Sequence, residues 1–327
     1  MSTGLAAVYF VVSLVATLYA AAVFADRLDR LGTQIGLPEG VLGLLTAAGA
    51  DAPELASAIA ALATGSKSVG FGVVVGSNVF NIGAMIGLTT LACGCVKLRR
   101  EALALEGGVA VGVTLVVVLL VFGVLPAWAA VTASFVLLLP YVAVLVLAEG
   151  HVLSMRRRLA LRRTMGERHR RQQVRGRALW EPLLLIPPAV AAIVLGSIGM
   201  VHSAIRIGHA AGVPDVLVGT LVLAVVTSLP NAYTGVRLGL AKRGSALVSE
   251  TMNSNTLNLV GGLAVPALFV AVEAGRAGLE RADGIWLLGS TVLALALLVP
   301  HGGIRRAGGT LLVGSWVAFA VVQAVYG

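Results

Sequence analysis

Two segments of this chain, 177 residues apart, set a proline, serines and asparagines inside stretches that are otherwise apolar. The first reads TAAGADAPELASA from Thr46 and continues to VVGSNVFN at Val74–Asn81. The second reads AVVTSLPNAYTG from Ala224 and continues to TMNSNTLN at Thr251–Asn258. Aligned without a gap, Pro53 falls on Pro230, Ser77 on Ser254, Asn78 on Asn255 and Asn81 on Asn258. A helix breaker flanked by polar side chains is expensive at membrane depth. Its recurrence in one register marks a duplicated site rather than two accidents. The other identities are Leu44/Leu221, Ala47/Ala224 and Ser68/Ser245, so most matches are polar or helix-breaking.

The surroundings justify reading depth into these segments. Of 327 residues, 58% are hydrophobic and 12% charged, with a mean hydropathy of +0.95. Long apolar runs between short polar breaks describe a polytopic helical membrane protein. About ten spans are expected, near 3–25, 36–64, 68–95, 104–123, 125–148, 182–203, 213–240, 244–272, 284–300 and 309–326. Period-two alternation is missing, which argues against a membrane β-barrel. Five spans precede and five follow a polar segment at 149–181, so the two copies cross in opposite directions. The fold expected is therefore all-α and polytopic, about ten transmembrane helices as two inverted five-helix repeats. The first repeat is 1–148 with its motif at 43–89, and the second is 182–327 with its motif at 220–266. Spans 1, 4, 5, 6, 9 and 10 show almost no mid-span polar residues and read as scaffold.

Charge sets the orientation. The net charge of +9 sits mostly in 149–181, where ten arginines face three glutamates. This is read as a cytoplasmic loop obeying the positive-inside rule, in reach of anionic lipid heads, and not as a nucleic-acid surface. A surface helix over Ser154–Arg171 is weakly patterned. With that loop inside, both termini lie outside a plasma (inner) membrane. The other inside connections hold Arg27 and Arg30, Lys97, Arg99 and Arg100, Lys242 and Arg243, and Arg305 and Arg306; the outside ones hold Lys67, Arg206, Arg276 and Arg281. No Lys or Arg precedes the first apolar run, which is read as a span and not as a signal peptide. A monomer is expected, without a cofactor. Cys93 and Cys95 form one CxC with no nearby His and are read as small hydrophobes; the five histidines lack metal-ligand spacing.

The chemistry concentrates in the duplicated segments. Pro53 and Pro230 lack an N–H and free carbonyls near Ala47–Ala50 and Ala224–Thr227, for a cation, water or neighbouring helices to satisfy. Asp51 and Glu54 flank Pro53 at i and i+3 and share a side of a bent helix. Two uncompensated charges there cost about 5–7 kcal/mol, so they need a cation, protons or a basic partner. Arg237 is the nearest basic residue in the motifs but lies two turns toward the inner end. Ser77, Asn78, Asn81, Thr227, Ser228, Asn231, Ser254, Asn255 and Asn258 add amide and hydroxyl oxygens, a donor set suited to hard cations such as Ca²⁺ and Na⁺. Ser77 and Asn81 share a helix face, as do Ser254 and Asn258. Glu250, one turn before Ser254, either draws cations into an inner vestibule, carries a proton, or is an idle interfacial acid.

The segments GADAPEL (Gly49–Leu55) with VVGSNVFN, and VTSLPN (Val226–Asn231) with MNSNTLN (Met252–Asn258), resemble the two repeats of the Na⁺/Ca²⁺ exchanger branch of the cation/Ca²⁺ antiporter superfamily. That family's pattern is Gly-Thr-Ser-x-Pro-Glu followed by Gly-Ser-Asn-x-Phe-Asn or Asp, once per half, and the ten-span layout extends the resemblance over the whole chain. It implies that Glu54 is the principal cation ligand. Ser77 and Asn81, Thr227 and Ser228, and Ser254 and Asn258 would line the same site; Asp51 and Asn231, read from this chain's own residues, complete the candidate set. The chain departs from the pattern in telling places. Thr-Ser is Ala50-Asp51 here, the second-half Glu is Asn231, the second Gly is Asn253, and both Asn81 and Asn258 are amides where the family often has an acid. Both acids thus come from the first half. A formal charge of two matches one divalent cation or about two monovalent ones, and exchange close to electroneutral follows.

The function expected is secondary-active antiport of Ca²⁺ against Na⁺ (or H⁺) by alternating access, with a peripheral pair such as spans 1 and 6 sliding past the site. The alternatives are a proton-coupled divalent-cation or Na⁺/H⁺ antiporter, and a non-transporting membrane cation sensor. An enzyme is not expected, since no nucleophile–base pair or metal cluster emerges.

Overall fold

Prolines 53 and 230 decide where two of the helices break. The computed structural model describes residues 2–35, 37, 39–97, 100–160, 180–270, 278–299 and 302–326. Helix α1 covers Thr3–Ile35. Helix α2 (Glu39–Ala50) stops at Asp51, and α3 (Ala52–Ala63) starts with Pro53 in its first turn, where a missing N–H forfeits no helical bond. Then follow α4 (Lys67–Cys93), strand β1 (Cys95–Lys97), α5 (Arg100–Val121), α6 (Ala127–Ala160) and α7 (Trp180–Ala210). Helices α8 (Asp215–Thr227) and α9 (Leu229–Leu240) repeat the break, with Pro230 in the first turn of α9 and a bend of 47°. The chain ends with α10 (Gly244–Leu259), α11 (Gly278–Leu298), β2 (Gly303–Arg305) and α12 (Arg306–Tyr326). The duplication reaches the backbone. Each copy's second helix widens into a π turn just at or after its last motif asparagine, at Asn81–Ile86 in α4 and at Val260–Ala264 beyond α10. Such turns are uncommon and recur at functional sites.

The molecule is a helical membrane protein. Helices α1, α4, α5, α6, α7 and α12 are long and apolar enough to cross a bilayer, and the bent pair α8–α9 is a seventh crossing when taken together. The ten expected spans include three more: α2 with α3, α10, and α11. Helices α2 and α3 have 12 residues each and α10 has 16, with a sequence rich in Ser, Thr and Asn. Helices α2 and α3 are each too short to cross alone, whereas polar motif residues lower the apolarity of α10.

Helix α4 lies at the centre, every residue of its most apolar window being buried, against 22% in α1, 17% in α6 and 22% in α12. Glycines let backbones meet there. A Cβ on Gly76 would stand 2.3 Å from Thr220 O, and one on Gly219 would stand 2.4 Å from Val69 O, so α4 and α8 cross backbone to backbone. Val69, Val73, Val218, Leu223, Leu259 and Leu263 belong to the apolar cluster around that crossing, and Ile82, Met85, Leu247 and Met252 to a second cluster. Helices α1 and α7 pack along each other, with Gly196 against Thr17 and Gly199 against Ser13 and Tyr9.

Connections gather by end. Strands β1 and β2 pair antiparallel, Val96 opposite Ile304, and Gly244 abuts Lys97, so the chain around 94–97, 241–244 and 303–306 meets at one end of the bundle. Arg27 is bonded to Glu181 at 2.6 Å, tying the end of α1 to the start of α7.

The structure corrects some expectations. A two-stranded ribbon interrupts the all-helical reading. Helix α6 runs on to Ala160, so residues 149–160 of the segment expected as loop are helical; no proline stops that helix after Tyr141. The rest of the weakly patterned helix over Ser154–Arg171 lies outside the described residues. The scaffold helices also hold more buried polar groups than expected. Thr114, Ser134, Ser203 and Thr291 donate to carbonyls of their own helices. Gln323 Nε2 donates to Asp283 Oδ1 between α12 and α11.

Candidate cation-binding site

Helix breaks are what bring the polar groups together. Asp51 lies in the break between α2 and α3, and Glu54 in the first turn of α3. Both carboxylates thus meet a helix N-terminus, whose dipole favours negative charge. They are 0% and 1% exposed. Among the described residues no Lys, Arg or His forms an ion pair with either. Arg237 is exposed and stacks over the Tyr233 ring at 5.7 Å, so it does not serve as their partner.

Neutral groups from the second half surround the two acids. Ser254 Oγ donates to Asp51 Oδ1 at 2.6 Å. Asn231 Nδ2 lies 2.7 Å from Asp51 Oδ1, 3.1 Å from Glu54 Oε1 and 3.3 Å from Ser254 Oγ. Asn258 Nδ2 donates to Glu54 Oε2. From α4, Asn81 Nδ2 donates to Ser254 Oγ at 3.3 Å and to Asn255 Oδ1 at 3.2 Å. The Ser77 and Ser228 hydroxyls border Glu54. Ser77 Oγ also donates to Val74 O. Thr227 likewise turns its hydroxyl back on its own helix, donating to Leu223 O at 2.8 Å, and among the described residues it is bonded to no other of the nine site residues singled out in the sequence. All nine are buried.

What the cluster lacks is donors. Asp51 Oδ2, Asn81 Oδ1, Asn231 Oδ1 and Asn258 Oδ1 are buried oxygens without a hydrogen-bond partner. Each unmet buried acceptor costs about 1–3 kcal/mol. Four unmet oxygens, one of them Asp51's own, in a site whose two carboxylates have no basic partner among the described residues fit a hard cation, which takes six to eight oxygens when it is Ca²⁺. Among the described residues no three His, Cys, Asp or Glu side chains converge. The donor set is one of carboxylate, amide and hydroxyl oxygen.

Other residues emerge only in three dimensions. Asn255 Nδ2 donates to Asn78 O at 3.0 Å and so stitches α10 to α4; the aligned pair Asn78 and Asn255 was the visible signal. On the side of Glu250, Ser249 Oγ donates to Glu106 Oε1 at 2.7 Å and Tyr141 OH donates to Asn253 Oδ1 at 2.9 Å. Glu250 is half-buried with Oε2 unpartnered, near enough to Asp51 to feel its charge. No local pattern marked Glu106 or Tyr141, because their partners lie more than a hundred residues away.

A bundle of membrane helices built around a buried, oxygen-lined site with two acids defines a membrane protein of the ion-carrying class. A family model described as sodium/calcium exchanger protein matches residues 5–148 and again 182–325, and the chain belongs to that family. It is 25% identical to the sodium/calcium exchanger MaX1 of Methanosarcina acetivorans over 91% of this chain and 93% of that one. Among solved structures, its fold is similar to the H⁺/Ca²⁺ exchanger CAX, with a TM-score of 0.74 at 15% identity over 98% of this chain and 85% of that one. It is also similar to the sodium-calcium exchanger NCX_Mj, with a TM-score of 0.60 at 20% identity over 99% of both chains.

Proposed function

We propose that this chain is a secondary-active antiporter that exchanges Ca²⁺ for Na⁺ by alternating access at the Asp51–Glu54 site. The observation that carries the reading is the set of four unpartnered oxygens, one of them Asp51's own, at two buried carboxylates with no basic partner among the described residues. Asp51, Glu54, Ser77, Asn81, Ser228, Ser254 and Asn258 supply side-chain oxygens to the cargo, Asn231 borders it, and Thr227 supplies oxygen from its side chain or backbone. With both acids in one half, the loaded site balances one Ca²⁺ or two Na⁺, and exchange runs close to electroneutral. Membership in the sodium/calcium exchanger family and the MaX1 likeness support Na⁺ as the counter-ion. The fold likeness to CAX and the amide at Asn231 favour H⁺ as the second reading.

In this reading α2 with α3, α8 with α9, α10 and α11 complete ten spans in two inverted halves, 1–148 and 182–327. The end carrying Arg27, Lys97, Arg243 and Arg305 faces the cytoplasm with the 149–181 segment, and both termini face outward across the plasma membrane. The α1–α7 pair, bound to each other more than to the core, slides to open the site to either side.

The test is ⁴⁵Ca²⁺ uptake into proteoliposomes of the purified chain under an outward Na⁺ gradient, an outward H⁺ gradient, or neither. Uptake driven by Na⁺ is expected, with little dependence on membrane voltage. Uptake driven by H⁺ alone selects the second reading. Gradient-independent traces in all three arms overturn both.

A further inference from the structure

Asn231 stands where the cargo should stand. Its amide nitrogen has three oxygens within 3.3 Å: Asp51 Oδ1, Glu54 Oε1 and Ser254 Oγ. Those oxygens belong to both acids and to both halves of the chain. One atom between two carboxylates and a hydroxyl occupies the position that a bridging cation takes. The orientation is dictated by charge. Turning the amide over would press Oδ1 against two carboxylate oxygens, so in an ion-free site the NH₂ group must face the acids. Oδ1 then points away, buried and unpartnered. Asn258 repeats the arrangement, its Nδ2 on Glu54 Oε2 and its Oδ1 unpartnered.

Resting on the antiport reading above, we propose that Asn231 is a built-in competitor of the transported cation, a release residue that takes the cargo's place when the cargo leaves. The physical logic is that of a fractionally available site. A cation meets the acids only after the amide has let go of them, and its apparent affinity falls by the fraction of carriers in which that has happened. For a carrier this is useful, because an ion held by many oxygens leaves slowly. The returning amide restores hydrogen bonds to charged acceptors, which are about twice as strong as neutral ones. It also keeps the two acids from facing each other bare. The acid that the family pattern places at this position would be a cation ligand, whereas an amide competes.

The proposal predicts a sign that a plain ligand role does not. Asn231→Ser removes both N–H donors and leaves room for a hydroxyl or water oxygen. Its Kd for Ca²⁺, measured by titration calorimetry on the purified full chain in detergent, is expected to fall about tenfold. The melting temperature without Ca²⁺ should drop, since Asn231's bonds to the first half are gone, and the Ca²⁺-induced rise should be larger than in the unmodified chain. In proteoliposomes KM and maximal rate should fall together, because release is slowed. Asn231→Ala is the second variant if the serine chain is not monodisperse, with the same expected direction. A Kd that rises, as for loss of a ligand, or that stays within twofold, as for a spectator, overturns the proposal while leaving antiport standing. An unmodified chain that neither binds nor carries Ca²⁺ overturns the antiport reading, and this proposal with it.

Discussion

Glu54 and Asp51 sit in one pocket but not in one role. Glu54 has neutral groups on every side, with Asn231, Asn258, Ser77 and Ser228 around its two oxygens. Asp51 keeps Oδ2 unpartnered while Ser254 and Asn231 share Oδ1. Glu54→Gln removes the charge and places an amide against the amides of Asn231 and Asn258; ⁴⁵Ca²⁺ uptake should fall about a hundredfold, to the background of empty liposomes. If flux survives, the site lies elsewhere. Moving charge is a sharper test. Asp51→Ser combined with Asn231→Glu restores one acid per half, and uptake should recover in part relative to Asp51→Ser alone. The carboxylates were legible in the sequence, since an acid beside a proline in an apolar run is too costly to sit there without a charge to meet. The direction of each amide was not. An asparagine can present nitrogen or oxygen, and only the neighbours brought in by the fold decide which.

Among the elements, the crossing of α4 and α8 and the pairing of α1 with α7 rest on missing side chains. Gly76→Ala sets a methyl group 2.3 Å from Thr220 O, a contact with backbone that no rotamer relieves. Overpacking of this kind costs about 1–3 kcal/mol or more, so thermal unfolding in detergent should come several degrees earlier. An unchanged melting temperature would mean that the two helices are free to separate there. The α1–α7 contact is different in purpose. A Cβ on Gly196 meets Thr17 Oγ1 at 2.2 Å, in a seam that supplies none of the side chains bonded to the acids. Gly196→Val should therefore slow translocation about tenfold while leaving the Kd for Ca²⁺ within twofold, and a matching loss of affinity would refute the sliding pair. The breaks at Pro53 and Pro230 were readable, because proline acts locally. The β1–β2 ribbon was not; it joins residues about two hundred apart through three backbone pairs, and neither strand is apolar or alternating enough to announce itself.

Over the whole molecule, orientation ties the charge pattern to the structure. Cys95 is exposed on β1, at the end of the bundle shared with Gly244 and Arg305. A membrane-impermeant maleimide should label Cys95 in inverted vesicles and not in right-side-out ones. Thr3→Cys, in a chain with Cys93 and Cys95 changed to serine, should show the reverse. Labelling of both from one side would overturn the inverted two-half layout. By itself the sequence determined that the chain lives in a bilayer, where its helices run, which helices break, and that one polar motif occurs twice. These follow from hydropathy and from proline, whose effects act within a turn or two of helix. Only the tertiary structure decided that the two copies meet on one another, Asn231 and Ser254 on Asp51 and Asn258 on Glu54. It also left four site oxygens without donors. Pairing between groups some two hundred residues apart depends on how helices cross, and the crossing is set by packing at glycines such as Gly76 and Gly219, which no local pattern encodes.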